Sequence, residues 1–191
     1  MEKEFLRKYF DRLSAAMIPS DLVLKQLLRA KGEIVSAQRA GSKIVVIGNG
    51  GSAAIASHVS VDLTKAAGLK AVNFNEASLL TCLSNDFGYE HGFAKAIEFY
   101  GDPGDVLIAI SSSGESENIL NGVRQAKKLK FRSTITLSGM NSTNPLSKSG
   151  DINFWVDSNV YNIIENTHQI WMLSLVDMIV EQFEYSANAP S

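Results

Sequence analysis

Cysteine is almost absent from this chain: Cys82 is the single one among 191 residues. One cysteine excludes an intrachain disulfide framework and fits a reducing compartment, where Cys82 is expected to pack as a small hydrophobe. A dominant charge is also lacking. Eighteen basic residues stand against 20 acidic ones, for a formal net charge of -2. That balance gives no electrostatic footprint for nucleic acid or for an anionic membrane, and a small-molecule ligand is the more natural partner. Long apolar runs are missing as well. No stretch approaches the roughly 20 residues that cross a bilayer, and Met1-Glu2-Lys3-Glu4-Phe5 lacks the apolar core of a secretion signal, so a cytoplasmic protein is expected. There is no internal repeat and no linker. What the chain does have is 45% hydrophobic residues, enough to bury the core of one domain spanning residues 1–191.

Apolar positions at helical spacing mark two helices before any strand, over residues 3–16 and 20–39, with Leu22, Leu24, Leu27, Leu28, Ile34 and Val35 in the second. Helices placed outside an α/β core keep an apolar face, and another copy of the same chain covers it most simply, so oligomerisation is expected. From residue 40 to 184, strand and helix patterns alternate. Strands are expected at 43–47, 70–74, 105–110, 132–137 and 151–156. Helices are expected at 52–66, 77–84, 90–99, 116–129 and 161–184. This alternation predicts an α/β fold with a doubly wound parallel sheet. The polar stretch 139–150 reads as a connecting loop with little chemistry, and 185–191 as a disordered tail.

Two loops stand out. Gly48-Asn49-Gly50-Gly51-Ser52 follows the apolar run Lys43-Ile44-Val45-Val46-Ile47, and Ser111-Ser112-Ser113-Gly114-Glu115-Ser116 follows Asp105-Val106-Leu107-Ile108-Ala109-Ile110. Both therefore sit at the carboxyl ends of buried strands, the edge at which open α/β sheets bind ligands. Glycine backbone lets several N–H groups converge on an anion, serine hydroxyls add donors, and the following helix presents its positive end. Together they read as a split phosphate cradle that needs no lysine. The alternative is that serine and glycine merely make tight turns after strands.

These loops, the segment Ser84-Asn85-Asp86-Phe87-Gly88 and the strand entry Gly104-Asp105-Val106-Leu107 occur in an order that resembles sugar isomerase (SIS) domain proteins of the phosphoheptose isomerase group, over residues 40–183. The resemblance implies a flavodoxin-like three-layer αβα sandwich and a homotetramer. It also implies conversion of sedoheptulose 7-phosphate into D-glycero-D-manno-heptose 7-phosphate for cell-envelope heptose synthesis. By the same resemblance Ser52, Ser111, Ser113 and Ser116, with Ser112 between them, hold the phosphate. Asn49, Gly50, Gly51, Asn85 and Asp86 would line the sugar. No nucleotide cofactor is implied.

The family's isomerases carry a zinc and acid/base set of histidine, glutamate, glutamine and histidine. His58 keeps the first position, whereas Asp62, Glu165 and Leu173 replace the other three. His58 and Asp62 at i, i+4 share a helix face, and with Glu165 they are the candidate catalytic residues and the candidate metal ligands. Aspartate is a methylene shorter than glutamate, and leucine neither binds metal nor moves a proton, so the four-ligand zinc site of the family pattern is not available. Glu165 adds a carboxylate three residues before His168, which either joins the set or packs against a neighbouring subunit.

Two main readings follow. One is an aldose–ketose isomerase working through an enediol, with Asp62 or Glu165 as base and His58 polarising the carbonyl. The other is a phosphosugar-binding regulatory protein, resembling the family's replication-initiator-associating branch, which keeps the loops and varies the catalytic set. An isomerase of another sugar phosphate is a third, because one fold hosts several such activities.

Overall fold

The computed structural model describes residues 1–183; the tail expected at 185–191 lies outside them. Helices α1 (Glu2–Met17) and α2 (Asp21–Arg39) precede β1 (Ile44–Gly48), α3 (Gly51–Lys65), β2 (Ala71–Asn73), α4 (Ala77–Phe87), a 3₁₀ turn (Tyr89–His91), and α5 (Gly92–Tyr100). There follow β3 (Val106–Ile110), α6 (Glu117–Lys128), β4 (Ser133–Ser138), β5 (Ile152–Trp155) and α7 (Tyr161–Val180). The five strands pair in parallel in the order β2-β1-β3-β4-β5. This is the doubly wound order, reversing between β1 and β3.

The central strands β1, β3 and β4 are buried on both faces, and β1 and β3 therefore read as continuous apolar runs. Alternation then sorts them into two cores. Ile44, Val46, Ile108, Ile110, Ile135 and Leu137 face α2, α3 and α7, meeting Ile34, Val59, Leu63, Ile164, Met172 and Leu175. Val45, Ile47, Leu107 and Ala109 face the other way and meet Phe93 and Ile97 of α5 and Ile119 and Val123 of α6. Each fully buried aliphatic side chain contributes roughly 1.5–3 kcal/mol. The layering is αβα. At the opposite edge, buried Asp105 accepts the N–H groups of Lys43 (2.9 Å) and Asp102 (2.8 Å), tying the starts of β1 and β3 together.

Helix α1 differs from the rest because it buries no residue. Its end is fixed by Trp171, whose indole N–H donates to the Met17 carbonyl at 3.0 Å, while Phe5, Phe10, Leu22, Leu24 and Leu28 of the first two helices stay exposed.

Two expectations need correction here. Cys82 lies exposed on α4, because the helix's apolar face is carried by Leu79, Leu80 and Leu83 and position 82 falls off it. Helix α4 also runs on to Phe87, past the end expected at 84, so Asn85 and Asp86 are helical. Gly88 stops it with φ of 85°.

Candidate functional site

Strand register places the two loops side by side. Gly48 pairs with Ile110, so both chains leave the sheet at the same level. Helix α3 begins at Gly51 and α6 at Glu117, and no side chain caps either one. Apart from the Ile119 N–H, which Asn118 Oδ1 accepts at 3.0 Å, the N–H groups that open the two helices lie at the positive ends of their dipoles, where an anion is favoured. Between them lies a cavity of about 130 Å³ walled by Asn49, Ser52, Ser111, Ser112, Ser113 and Ser116, with Tyr161 and Glu165 from the start of α7. That space holds about four waters' worth of volume, at about 30 Å³ each, and suits a phosphoryl group and its neighbouring carbon.

The serine loop is held open by its own backbone. Ser111 Oγ accepts the Gly114 N–H at 3.2 Å and pairs with Ser116 Oγ at 3.1 Å, while Ser113 Oγ accepts the Glu115 N–H at 3.2 Å. Gly114 adopts φ of 70°, and a Cβ there would collide with the Asn144 side chain. Asn144, buried in the connection 139–150, donates to the carbonyls of Gly139 and Asn141, and the Leu146 N–H donates to the Gly114 carbonyl at 3.0 Å. The connection expected to do little thus buttresses the loop. Ser112 Oγ is buried without a hydrogen-bond partner. A buried, unpaired hydroxyl is costly, and an anion in the cavity would satisfy it.

Glu165 comes into the same cavity from α7. Its carboxylate lies directly over Gly51, and a Cβ at that position would overlap it. The other candidate acid/base residues are farther along α3. His58 Nε2 is 3.2 Å from Asp62 Oδ2, and His58 Nδ1 is 3.1 Å from the side-chain amide of Gln169, one turn beyond Glu165 on α7. Whichever way that amide is turned, both ring nitrogens are engaged. Leu173, one turn further on, packs against the apolar core.

The donor set does not fit zinc. His58 and Asp62 are two donors held by each other and by Gln169, Glu165 faces the serine loops, and among the described residues no three His, Cys, Asp or Glu side chains come together to hold a metal ion. His168 does not join them. It is wholly buried inside the chain, with Nε2 3.1 Å from the Ser138 carbonyl, so it packs against β4 and not against a neighbouring subunit. Burial holds its pKa down from 6.5 to about 4. The ring is therefore neutral, and Nε2–H donates to the carbonyl.

Asn85 and Asp86 are also apart from the cradle. They line a shallow depression on α4 with Ser78, Thr81 and Cys82. The Asn85 amide donates to its neighbour's carboxylate at 2.9 Å. A wider cleft of about 650 Å³ lies between the α1–α2 connection and the end of β5, lined by Arg12, Ile18, Leu22 and Trp155 among others, with no acid/base cluster. Sequence reasoning passed over Asn118, in the first turn of α6. Its amide pairs reciprocally with that of Asn49, at 2.9 Å in each direction. Its position directly after the second serine loop was the available signal.

With this geometry in place, the likenesses to known proteins are specific. Residues 8–139 match the SIS domain family. The chain is 35% identical over 191 residues to the phosphoheptose isomerase of Helicobacter pylori, spanning 96% of this chain and 92% of that protein. It is 33% identical over 184 residues to the probable phosphoheptose isomerase of Thermoplasma acidophilum, spanning 93% and 98%. Among solved structures, the phosphoheptose isomerase of Neisseria gonorrhoeae superposes with a TM-score of 0.86 at 27% identity, covering 94% of this chain and 99% of that one.

Proposed function

We propose that this chain, which belongs to the SIS domain family and to its phosphoheptose isomerase group, interconverts sedoheptulose 7-phosphate and D-glycero-D-manno-heptose 7-phosphate. The observation that carries the reading is the register of the two phosphate loops, which wall one cavity at the sheet edge with the His58–Asp62 pair farther along α3 from the same loop. The 7-phosphate sits among Ser52, Ser111, Ser112, Ser113 and Ser116, where two uncapped helix ends and the unpaired Ser112 hydroxyl receive it. The carbon chain then runs out between α3 and α7. His58 is six residues, or about 9 Å, beyond Ser52 along α3 at ~1.5 Å per residue, within the span of a seven-carbon sugar.

Isomerisation moves one proton between adjacent carbons. In this reading Asp62 removes the proton from C1 of the ketose, the electron pair forms the C1–C2 double bond of an enediol, and the O1 hydroxyl proton passes to O2. Collapse of the enediol regenerates a carbonyl at C1 while C2 takes the proton back from Asp62. Of the two carboxylates considered as base, Glu165 walls the cavity that receives the phosphate, at the other end of the sugar from C1, whereas Asp62 is held beside His58 at 3.2 Å. His58 is the polar group that steadies the oxygen bearing developing charge. No step runs through a metal ion, because the donor set of the chain does not fit one.

The proposal has three further parts. Since α1 buries nothing and isolated helices of this length are marginal in water, further copies of the chain cover the apolar faces of α1 and α2, in the tetramer that the family suggests. Asn85 and Asp86 reach sugar only if such an assembly brings a second copy's cradle to them. A phosphorylated substrate does not cross bilayers freely, which supports a cytoplasmic location for the enzyme; among the described residues no helix is long and apolar enough to span a bilayer. The test is turnover of sedoheptulose 7-phosphate scored by chromatography, with wild type active and Asp62→Asn inactive while still binding the sugar phosphate by calorimetry. Binding without turnover in the wild type would instead favour a phosphosugar-binding protein.

A further inference from the structure

We infer that Asn118 and Tyr89 are positioning residues: they lock the Asn49 side chain so that it offers the cavity a single N–H donor, and they hold the two halves of the cradle at fixed separation. The inference rests on the isomerase reading above and concerns residues that the family pattern of the sequence does not point to.

The orientation follows from one backbone group. The Ile119 N–H donates to Asn118 Oδ1 at 3.0 Å, which fixes which end of the Asn118 amide is oxygen. That oxygen can then only accept, and it accepts from Asn49 Nδ2 at 2.9 Å. The return bond runs from Asn118 Nδ2 to Asn49 Oδ1, also at 2.9 Å. Tyr89 adds its hydroxyl to the same Asn49 oxygen at 2.9 Å. An amide oxygen has two lone pairs and both are taken. What remains on Asn49 is the second hydrogen of Nδ2, so a ligand in the cavity that Asn49 walls meets a donor and no acceptor. A phosphate or sugar oxygen is welcome there; an ammonium or amide N–H is not.

The same bonds join three segments far apart in sequence. Asn49 lies in the first loop, Asn118 follows the second loop, and Tyr89 sits in the 3₁₀ turn after α4. Asn118 is buried, so its amide has no water to exchange with. The turn carrying Tyr89 is itself tied to α6, because the Asn121 amide donates to the Glu90 carbonyl at 2.9 Å. A split cradle gains affinity only while its halves keep their spacing, and these bonds set that spacing without touching a ligand.

A double-mutant cycle read in KM tests this. Asn49→Ala and Asn118→Ala should each raise KM for sedoheptulose 7-phosphate about fivefold to tenfold, and Tyr89→Phe about twofold to threefold, the scale of one oriented hydrogen bond. In all three, kcat should stay within about twofold. If Asn118 and Tyr89 act through Asn49, adding either substitution to Asn49→Ala leaves KM where Asn49→Ala alone put it. Multiplying effects, or an unchanged KM in both Asn118→Ala and Tyr89→Phe, would overturn the inference. Tyr89→Phe removes only a hydroxyl from an exposed side chain and keeps the test decisive if Asn118→Ala does not fold. A wild type that binds but does not turn over the sugar phosphate would sink the isomerase reading alone, and the same cycle read as Kd by calorimetry would still decide the positioning role. A wild type that does not bind it overturns both.

Discussion

The phosphate cradle and the acid/base face sit within a few helical turns of each other and are built on opposite principles. The cradle is mostly backbone: two strand ends in register, two uncapped helix starts and serine hydroxyls oriented by turn hydrogen bonds. Such a site depends on the fold, so any sequence that makes these strand–loop–helix joints makes most of the site. The acid/base face is made of side chains on α3 and α7, and one methylene or one lost imidazole changes its chemistry. Here it has changed. Glu165, Gln169 and Leu173 line one side of α7, and the His58–Asp62 pair on α3 is closed by Gln169. A fold-level likeness therefore carries the phosphate end of the substrate to this chain more firmly than it carries the way the proton moves.

The sharpest way to separate the two regions is to remove the base alone. Asp62→Asn should lower kcat by on the order of 10²–10⁴-fold, the usual worth of a positioned acid/base group, with Kd for the sugar phosphate within a few-fold of wild type. Initial rates and calorimetry on the same preparation would check it. A parallel fall in affinity would merge the regions rather than separate them.

The second effect bears on α7 itself, which His168 holds against the end of β4. Folded His168 takes a proton only near pH 4, whereas the unfolded chain takes it near the ordinary value of 6.5. The stabilising contribution is thus complete above about pH 6.5 and falls as pH drops toward 4, by about 3 kcal/mol in the limit at ~1.36 kcal/mol per unit. Urea melts from pH 7 to 4.5 should lose stability steeply in the wild type and less in His168→Leu, which cannot charge. Identical slopes would remove His168 as the cause.

Acting on the cradle, Ser112→Ala deletes the unpaired buried hydroxyl. It should weaken binding of the sugar phosphate roughly tenfold, since hydrogen bonds to charged groups are worth about 1.5–3 kcal/mol, while the melting temperature of the free protein holds or rises. Opposite signs for binding and stability are the signature of a ligand-satisfied group; a drop in both would make Ser112 structural. The smallest effect concerns metal. Stripping the protein with a chelator should change turnover by less than about twofold, because the donors that would hold zinc are two residues closed on each other. Stoichiometric zinc in purified protein, or rescue of stripped protein by zinc, would break the comparison at its weaker side.

How legible each region was in the sequence follows the same division. The strands at 44–48 and 106–110 and the loops after them are local features: an apolar run, then glycine and serine, then a helix. Periodicity and turn chemistry read them within a residue or two. The helix expected at 77–84 stopped short of Asn85 and Asp86 because those residue types favour turns, yet α4 continues through them to Phe87. The role of Asn118 was hidden for another reason. An asparagine in a first helical turn reads as a surface cap, and only the partner 69 residues away turns it into a buried clamp. His168 was similar: its neighbours Ile164, Trp171 and Met172 advertised an apolar face, but the carbonyl that pairs with it is 30 residues upstream. The residues whose meaning depends on a distant partner were those that sequence alone left undecided.

The most direct measurement is the fate of the transferred hydrogen when sedoheptulose 7-phosphate is incubated with metal-stripped protein in deuterium oxide. Proton transfer by Asp62 through an enediol predicts aldose product carrying deuterium at C2, and exchange into the recovered ketose at C1. Aldose with its hydrogen fully retained, or no aldose from protein that binds the sugar phosphate, would contradict the account.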